Sequence, residues 1–169
     1  MIQESFNHKI IPNFSTCMNK GDLGELFFKE FLERRGWVVY KPTVTDRAHF
    51  CDLFATRGKR ELILADVKTK ARLNKTNATG INLSAYNDYL HFAKNYPIPF
   101  HLVFVNDKDG EVHSCNILTL EKSKSGFLIS NDRIICWPIS VMRKLFTLND
   151  EQVASLSAYD QRNYTYNPK

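Results

Sequence analysis

The stretch "ELILADVKT", Glu61 to Thr69, constrains the fold of this chain more than any other. Its apolar residues are those of an interior β-strand, yet an acid and a lysine stand within it. Because strand side chains alternate between two faces, Asp66 and Lys68 share one face, whereas Val67 lies on the other, wholly apolar face. The stretch is therefore predicted to be a strand that carries an ordered pair of charges.

A second strand is predicted just before it, in "FCDLFAT", with "RGKR" supplying Gly58 for a hairpin turn. A loop with an odd number of residues, such as Gly58 to Arg60, would place Asp52 opposite Asp66. Two carboxylates and the Lys68 ammonium would then converge. The sequence permits this register without requiring it, and the alternative is a surface hairpin with an Asp–Lys ion pair.

Convergent carboxylates indicate a particular chemistry. Two carboxylates repel each other unless a cation lies between them. Oxygen ligands suit a hard cation such as Mg²⁺ or Mn²⁺. Such an ion polarises a phosphoryl group and generates hydroxide near neutral pH, and a nearby lysine orients water or offsets developing charge. Asp52, Asp66 and Lys68 thus favour a metal-dependent phosphodiesterase.

The remaining patterns predict one α/β domain over residues 1–169, with a core at about 20–106 and a C-terminal extension at 107–169. The predicted order is α-β-β-β-α-β followed by C-terminal strands and helices, with a mixed central sheet flanked by helices. Residues 71–82 are expected to form a basic loop. Helices are predicted in "DLGELFFKEFLERR", "LSAYNDYLHFAKN", "SVMRKLF" and "DEQVASLSAY", and strands in "WVVYKP", "FHLVFVND", "VHSCNILTL" and "FLISNDRIICWP".

Composition excludes several classes of protein. The chain has 169 residues and a formal net charge of +5, which is a modest bias towards anionic partners. No apolar run reaches the roughly 18 residues of a membrane helix, and no secretory signal stands at the N-terminus, so a cytoplasmic protein is expected. The four cysteines form no C-x-x-C pair, which disfavours structural zinc. The sequence has no glycine-rich phosphate-binding loop, so it does not indicate a nucleotide cofactor.

"FCD" followed by "ADVK" resembles the PD-(D/E)xK signature of the restriction endonuclease-like nucleases. "KGDLGELFFKEFLERRGWVVYKP" is similar to the opening of archaeal-type Holliday junction resolvases and related small phage or plasmid nucleases. The resemblance covers about residues 20–106. It implies a restriction endonuclease-like core and a Mg²⁺-dependent endodeoxyribonuclease, with Mn²⁺ as a substitute. One departure is Cys51, where the family often has proline.

The same resemblance implies roles for individual residues. Asp52, Asp66 and the Val67 carbonyl would hold the metal, with Glu25 as a direct or water-mediated ligand. Lys68 would position or activate the attacking water. The alternative for Glu25 is a solvated side chain in the first turn of a helix, where the helix dipole favours an acid.

DNA contacts are predicted for a basic set that would grip the phosphate backbone, namely Arg47, Lys70, Arg72 and Lys75. Tyr86 is also predicted to contact DNA, because it lies four residues after Asn82 and could imitate a glutamine–tyrosine pair of some relatives. The alternative is a capping Asn82 and a packed Tyr86.

Two other functions stay open at the level of sequence. One is a non-catalytic nucleic-acid-binding or partner-docking domain that retains the nuclease fold. The other is an RNA-directed nuclease, because the metal and the lysine act on the phosphate and ignore the sugar. Branched, duplex and single-stranded substrates are not distinguished. A Holliday junction enzyme would need a homodimer to make paired cuts.

Overall fold

The computed structural model of the chain describes residues 20–42 and 50–162, with side chains up to residue 158. The helices are α1 (Lys20–Glu33), α2 (Leu83–Asn95), α3 (Ile117–Ser123) and α4 (Asp150–Arg162). The strands are β1 (Val38–Tyr40), β2 (Leu53–Arg57), β3 (Glu61–Thr69), β4 (Ala78–Asn82), β5 (Phe100–Val105), β6 (Glu111–Asn116), β7 (Phe127–Ile129), β8 (Ile134–Pro138) and β9 (Arg143–Thr147).

Six strands form the central sheet in the order β1-β2-β3-β5-β6-β9. β3 and β5 run parallel, and the other neighbours are antiparallel. Since β6 and β9 come from residues 111–147, the segment predicted as an extension completes this sheet. The predicted α/β class with a mixed central sheet is confirmed.

The two faces of the sheet are covered by different helices. α1 packs Leu23 and Phe28 on the face that carries Ala65 and Val67. α2 and α3 pack on the opposite face, against β5 residues such as Leu102. Because Asp66 pairs with Leu102 in the β3–β5 register, the charged residues of β3 lie on the α2 side.

Local sequence explains where several elements begin and end. Gly36 adopts a φ of +77° just after α1, a conformation that glycine accepts at no steric cost. Asn149 precedes α4. Its Oδ1 accepts from the Gln152 backbone N–H at 2.9 Å, and the Asn149 backbone N–H donates to Gln152 Oε1 at 3.0 Å. This reciprocal cap begins the helix predicted in "DEQVASLSAY", which starts at Asp150 as the sequence indicates.

One predicted element is wrong and two others are wrong in part. Residues 71–82 are not all loop, because Ala78–Asn82 forms β4 and pairs with β8 in a second sheet of order β4-β8-β7. "SVMRKLF" is not a helix, since it ends a 3₁₀ turn and enters β9, which pairs with β6 at the sheet edge. "VHSCNILTL" is a strand only as far as Asn116, whose side chain accepts from the Leu118 amide and begins α3.

No helix within the described ranges is long and apolar enough to cross a membrane. The cysteines in the same ranges, Cys51, Cys115 and Cys136, are buried free thiols.

Candidate active site

The hairpin of β2 and β3 brings Asp52 and Asp66 together. Arg57 pairs with Glu61, so the turn holds three residues, and the register continues to Leu53 opposite Ala65. Asp52 directly precedes β2, and its amide donates to the Ala65 carbonyl at 3.1 Å. The predicted odd-residue loop is confirmed, and Asp52 lies across from Asp66.

Asp52 is held by the backbone of β3. Its Oδ2 accepts from the Val67 amide at 2.7 Å and lies 4.0 Å from Lys68 Nζ. In a strand the N–H and C=O groups of one residue point to the same side. The Val67 carbonyl therefore points towards the side of β3 where Asp52 sits, as the predicted role of a ligand requires.

Asp66 is almost wholly buried, with 2% of its surface exposed. Its Oδ1 accepts from Lys68 Nζ at 2.8 Å and from the Tyr89 hydroxyl at 2.9 Å. Its Oδ2 is buried and has no hydrogen-bond partner. A buried carboxylate oxygen without a partner costs free energy, which a cation at that oxygen would recover.

The electrostatics of the pair point the same way. Burial, and then the charge of Asp66, raises the pKa of Asp52 to about 6, although the Val67 amide and Lys68 oppose the shift. Burial and Asp66 also raise the pKa of Tyr89, so its hydroxyl stays a donor. Two carboxylates thus share the Lys68 ammonium, and the site has more negative charge than its protein groups offset.

Glu25 lies close enough to add to the raised pKa of Asp52. Its Oε2, however, is 2.7 Å from Lys41 Nζ, so the carboxylate is engaged in an ion pair. Within residues 20–42 and 50–162, no group of three His, Cys, Asp or Glu side chains is arranged to hold a metal ion. The oxygens that fit a hard cation are those of Asp52 and Asp66 with the Val67 carbonyl.

Cysteine chemistry does not fit this site. Burial, and then the charges of Asp52 and Asp66, raises the pKa of the Cys51 thiol to about 11. A thiol with that pKa is protonated at neutral pH and is a poor nucleophile.

The predicted DNA-binding residues differ in their exposure and in their contacts within the protein. Lys70 is half-buried and donates to the Gly80 carbonyl, and Arg72 pairs with Glu111 at 2.5 Å. Lys75 is exposed, whereas Arg47 lies outside the described residues. Exposure therefore favours Lys75 for a phosphate contact, and Lys70 and Arg72 already serve as links within the protein.

Tyr86 is a correction to the predicted DNA-binding set. Its side chain is buried at 7% exposure, with its ring centroid 5.1 Å from that of Trp137, so it packs in the core. Asn82 occupies the N-cap position of α2, but its side chain makes no capping bond.

Sequence reasoning missed Tyr89 and Lys41 as partners of the acids. Tyr89 lies on the buried side of α2 and reaches across to Asp66, and Lys41 follows β1 and reaches Glu25. The signal that could have found Tyr89 is a hydroxyl on a helix face otherwise made of core residues.

Comparison by sequence with protein families and with curated proteins gives no match. Among solved structures, the chain is similar to Hjc of Archaeoglobus fulgidus, a Holliday junction resolvase, with a TM-score of 0.50 at 13% identity over 70% of this chain and 88% of that one. D212, a nuclease from a fusselovirus, aligns with a TM-score of 0.49 at 15% identity over 90% of this chain and 100% of that one. The likeness to Hjc shows the fold of that protein in this chain, in agreement with the restriction endonuclease-like fold that its sequence predicts.

Proposed function

We propose that this protein is a metal-dependent endonuclease that hydrolyses phosphodiester bonds in DNA. The observation that carries the proposal is the pair of facing carboxylates, Asp52 and Asp66, with a buried Asp66 oxygen that has no partner and Lys68 in contact with both. A site with this composition is suited to a divalent cation and to an anionic phosphate. The fold, which is that of a known resolvase, agrees with this assignment.

Each residue then has a separate task. Asp52, Asp66 and the Val67 carbonyl would hold Mg²⁺ or Mn²⁺, and Glu25 would join directly or through water after parting from Lys41. When bound, the ion would polarise the phosphoryl group and lower the pKa of a water molecule. Lys68, whose side chain is 37% exposed, lies at the rim, where it can orient the attacking water or stabilise charge on the phosphate.

Tyr89 acts by positioning. Its hydroxyl holds Oδ1 of Asp66, which leaves the unpartnered Oδ2 as the oxygen that would bind the metal ion. A carboxylate fixed in this way loses little rotational freedom when the ion binds, so less of the binding free energy is spent on ordering it.

The test is a cleavage panel. Labelled four-way junction, duplex, flap, single-stranded DNA and RNA are each incubated with Mg²⁺ or Mn²⁺ and the wild-type protein, and with three variants. We expect Asp66→Ala to lower the rate at least about a hundredfold through loss of a metal ligand, and Lys68→Ala to lower it by a similar factor. Lys59→Ala, which removes an exposed lysine in the hairpin turn, is the matched control and should cut normally.

Two outcomes would refute the proposal. One is a wild-type protein that cuts none of the five substrates with either metal. The other is an Asp66→Ala variant that cuts as fast as the wild type.

A second candidate is a non-catalytic nucleic-acid-binding or partner-docking domain. The observation that favours it is the closure of the site, because Lys68 and Tyr89 occupy Oδ1 of Asp66 and Lys41 occupies Glu25. Calorimetry with Mn²⁺ separates the two candidates. Absence of Mn²⁺ binding, together with tight and salt-sensitive DNA binding, would favour the second candidate.

Branched DNA is the first substrate to test, because the structural relative from Archaeoglobus fulgidus is a Holliday junction resolvase. Paired cuts in a junction require a two-fold dimer. The mass of the protein in solution should therefore be measured alongside the cleavage panel. Cleavage of the RNA substrate alone would instead identify an RNA-directed nuclease.

A further inference from the structure

A pair of aromatic rings stands beside the two carboxylates. Tyr40 in β1 faces Phe54 in β2, with ring centroids 4.8 Å apart and an interplanar angle of 12°. Phe54 comes two residues after Asp52 and lies on the same face of the sheet. At about 3.3 Å per residue, the aromatic pair is about 7 Å from the carboxylates along the strand, within the reach of one nucleotide.

The helices within the described ranges leave this half of the sheet face open. α2 covers the neighbouring part, where Tyr89 stacks on Phe100 with centroids 4.6 Å apart. Tyr40 is 47% exposed, and β1 is the outer strand of the six-stranded sheet. Phe54 covers the inner side of the Tyr40 ring, and no strand of the sheet as described lies beyond its outer side.

From this geometry we infer that Tyr40, supported by Phe54, stacks against an unpaired nucleobase of the strand being cut. The inference rests on the proposed function, because the catalytic pair fixes where the phosphate lies. A flat aromatic face binds the flat face of any base, so this contact recognises an unstacked nucleotide rather than a sequence. The substrate class is therefore nucleic acid with an unpaired base next to the cut, as in single strands and flaps.

The charges around the aromatic pair agree with a nucleotide. Lys41 follows Tyr40 directly and its side chain is 39% exposed, and Lys68 at the carboxylates is 37% exposed. Partly exposed ammonium groups of this kind attract the phosphates of a nucleic-acid backbone. The formal net charge of +5 adds a general attraction for a polyanion.

A second copy of the chain is a poorer occupant of this face. A stable protein interface buries about 800 Å² per partner over roughly 20 to 30 residues. β1 has three residues, of which Val38 and Tyr40 are the exposed large apolar ones. This area suits one planar ring better than a protein surface.

The experiment measures binding without cleavage. Fluorescence anisotropy in EDTA at fixed salt gives Kd for a labelled oligothymidylate and for a duplex of the same length. We expect Tyr40→Leu to weaken single-strand binding about fivefold to tenfold and to leave duplex binding unchanged. Tyr40→Trp should retain the affinity of the wild type, because it restores a flat ring.

Tyr96→Leu is the matched control. Tyr96 is also exposed, at 55%, and also stacks on a phenylalanine, Phe92, with centroids 4.7 Å apart. It lies seven residues beyond Tyr89, about two helical turns from the carboxylates. Its substitution should leave both affinities unchanged. Thermal unfolding of every variant shows whether the fold is intact.

Three results would overturn the inference. These are a Tyr40→Leu variant with normal single-strand affinity, a variant that loses single-strand and duplex affinity equally, and a wild-type dimer that Tyr40→Leu converts to a monomer.

The cleavage panel tests the proposed function separately. If Tyr40→Leu binds single strands with unchanged Kd and still cuts normally with Mg²⁺, the stacking role is refuted and the proposed nuclease function stands. If the wild-type protein cuts nothing and Tyr40→Leu selectively loses single-strand binding, the stacking role stands and the nuclease function is refuted.

Discussion

Asp52 combines a structural bond with an unfavourable charge. Its carboxylate accepts from the Val67 amide, yet burial and Asp66 raise its pKa from an ordinary 3.8 to about 6. Because the folded state holds the proton more tightly than the unfolded chain, this group favours folding fully below about pH 4. That contribution is lost as the pH rises through about 6. Without metal, the site is therefore a source of instability at neutral pH.

Asp52→Asn should accordingly stabilise the metal-free protein at pH 7.5. A shift of about two pKa units corresponds to about 3 kcal/mol, which solvent screening at a side chain 23% exposed reduces to about 1–2 kcal/mol. Urea unfolding in EDTA at pH 7.5 and pH 4 measures the effect, and the gain should vanish at the lower pH. Nuclease activity should be lost. Equal stability of the two proteins at pH 7.5 would contradict the assigned repulsion.

The alternation of side chains along the strands predicted which charged residues lie together. It did not predict which residues of other elements contact them. Asp66 and Lys68 are two residues apart, and the odd turn brings Asp52 opposite, so local rules suffice. Tyr89 and Lys41 reach the acids from other elements of the fold. Their contacts depend on how α2 and the end of β1 are docked, which no pattern within either segment specifies.

At the level of elements, the close approach of α1 to β3 depends on Gly24. A methyl group there would lie 1.9 Å from Thr69 Oγ1 and 3.2 Å from Thr69 Cβ. This contact sets how near the following residue, Glu25, comes to the sheet. The Thr69 hydroxyl is itself buried without a partner, so it contributes no hydrogen bond that would be missed.

Gly24→Ala should therefore destabilise the protein by about 1–3 kcal/mol through overpacking. In an open helix the same change would stabilise by about 1 kcal/mol, so the sign of the effect tests the contact. Thr69→Ala removes Oγ1, the atom with which the methyl group clashes most closely, and the double variant should recover at least half of the loss. Denaturant unfolding of the two single variants and the double variant measures the coupling between the sites. A stabilised Gly24→Ala protein would show that α1 stands farther from β3.

The two strands that sequence patterns missed, β4 and β9, share a cause, because each is stabilised by a partner strand distant in sequence. In β4, a methyl group on Gly80 would lie 2.0 Å from the Ile135 carbonyl, so the strand keeps a glycine that strand patterns disfavour. β9 has a short apolar run that fits either helix or strand, and its pairing with β6 decides the outcome. The long, strongly patterned elements, β3 and α2, were predicted with their observed bounds.

At the scale of the whole molecule, Lys70 joins the two sheets. It follows β3 in the central sheet, and its ammonium donates to the Gly80 carbonyl of β4 in the second sheet. Burial lowers the pKa of Lys70, as expected for an ammonium that is partly removed from water. The sequence assigned Lys70 and Lys75 to DNA binding together because both are basic, whereas the fold gives them different surroundings.

Lys70→Met and Lys75→Met should therefore have opposite signatures. Lys75 is exposed, so its loss should reduce the slope of log Kd for DNA against log salt by about one and change stability little. Loss of Lys70 leaves the Gly80 carbonyl without its donor, which should cost about 1–2 kcal/mol of stability and leave the salt slope unchanged. Anisotropy titrations from 50 to about 200 mM salt, paired with urea unfolding, measure both quantities. A reduced salt slope in Lys70→Met would mean that this ammonium leaves Gly80 to bind a phosphate, because only a lysine that displaces counterions from DNA changes that slope.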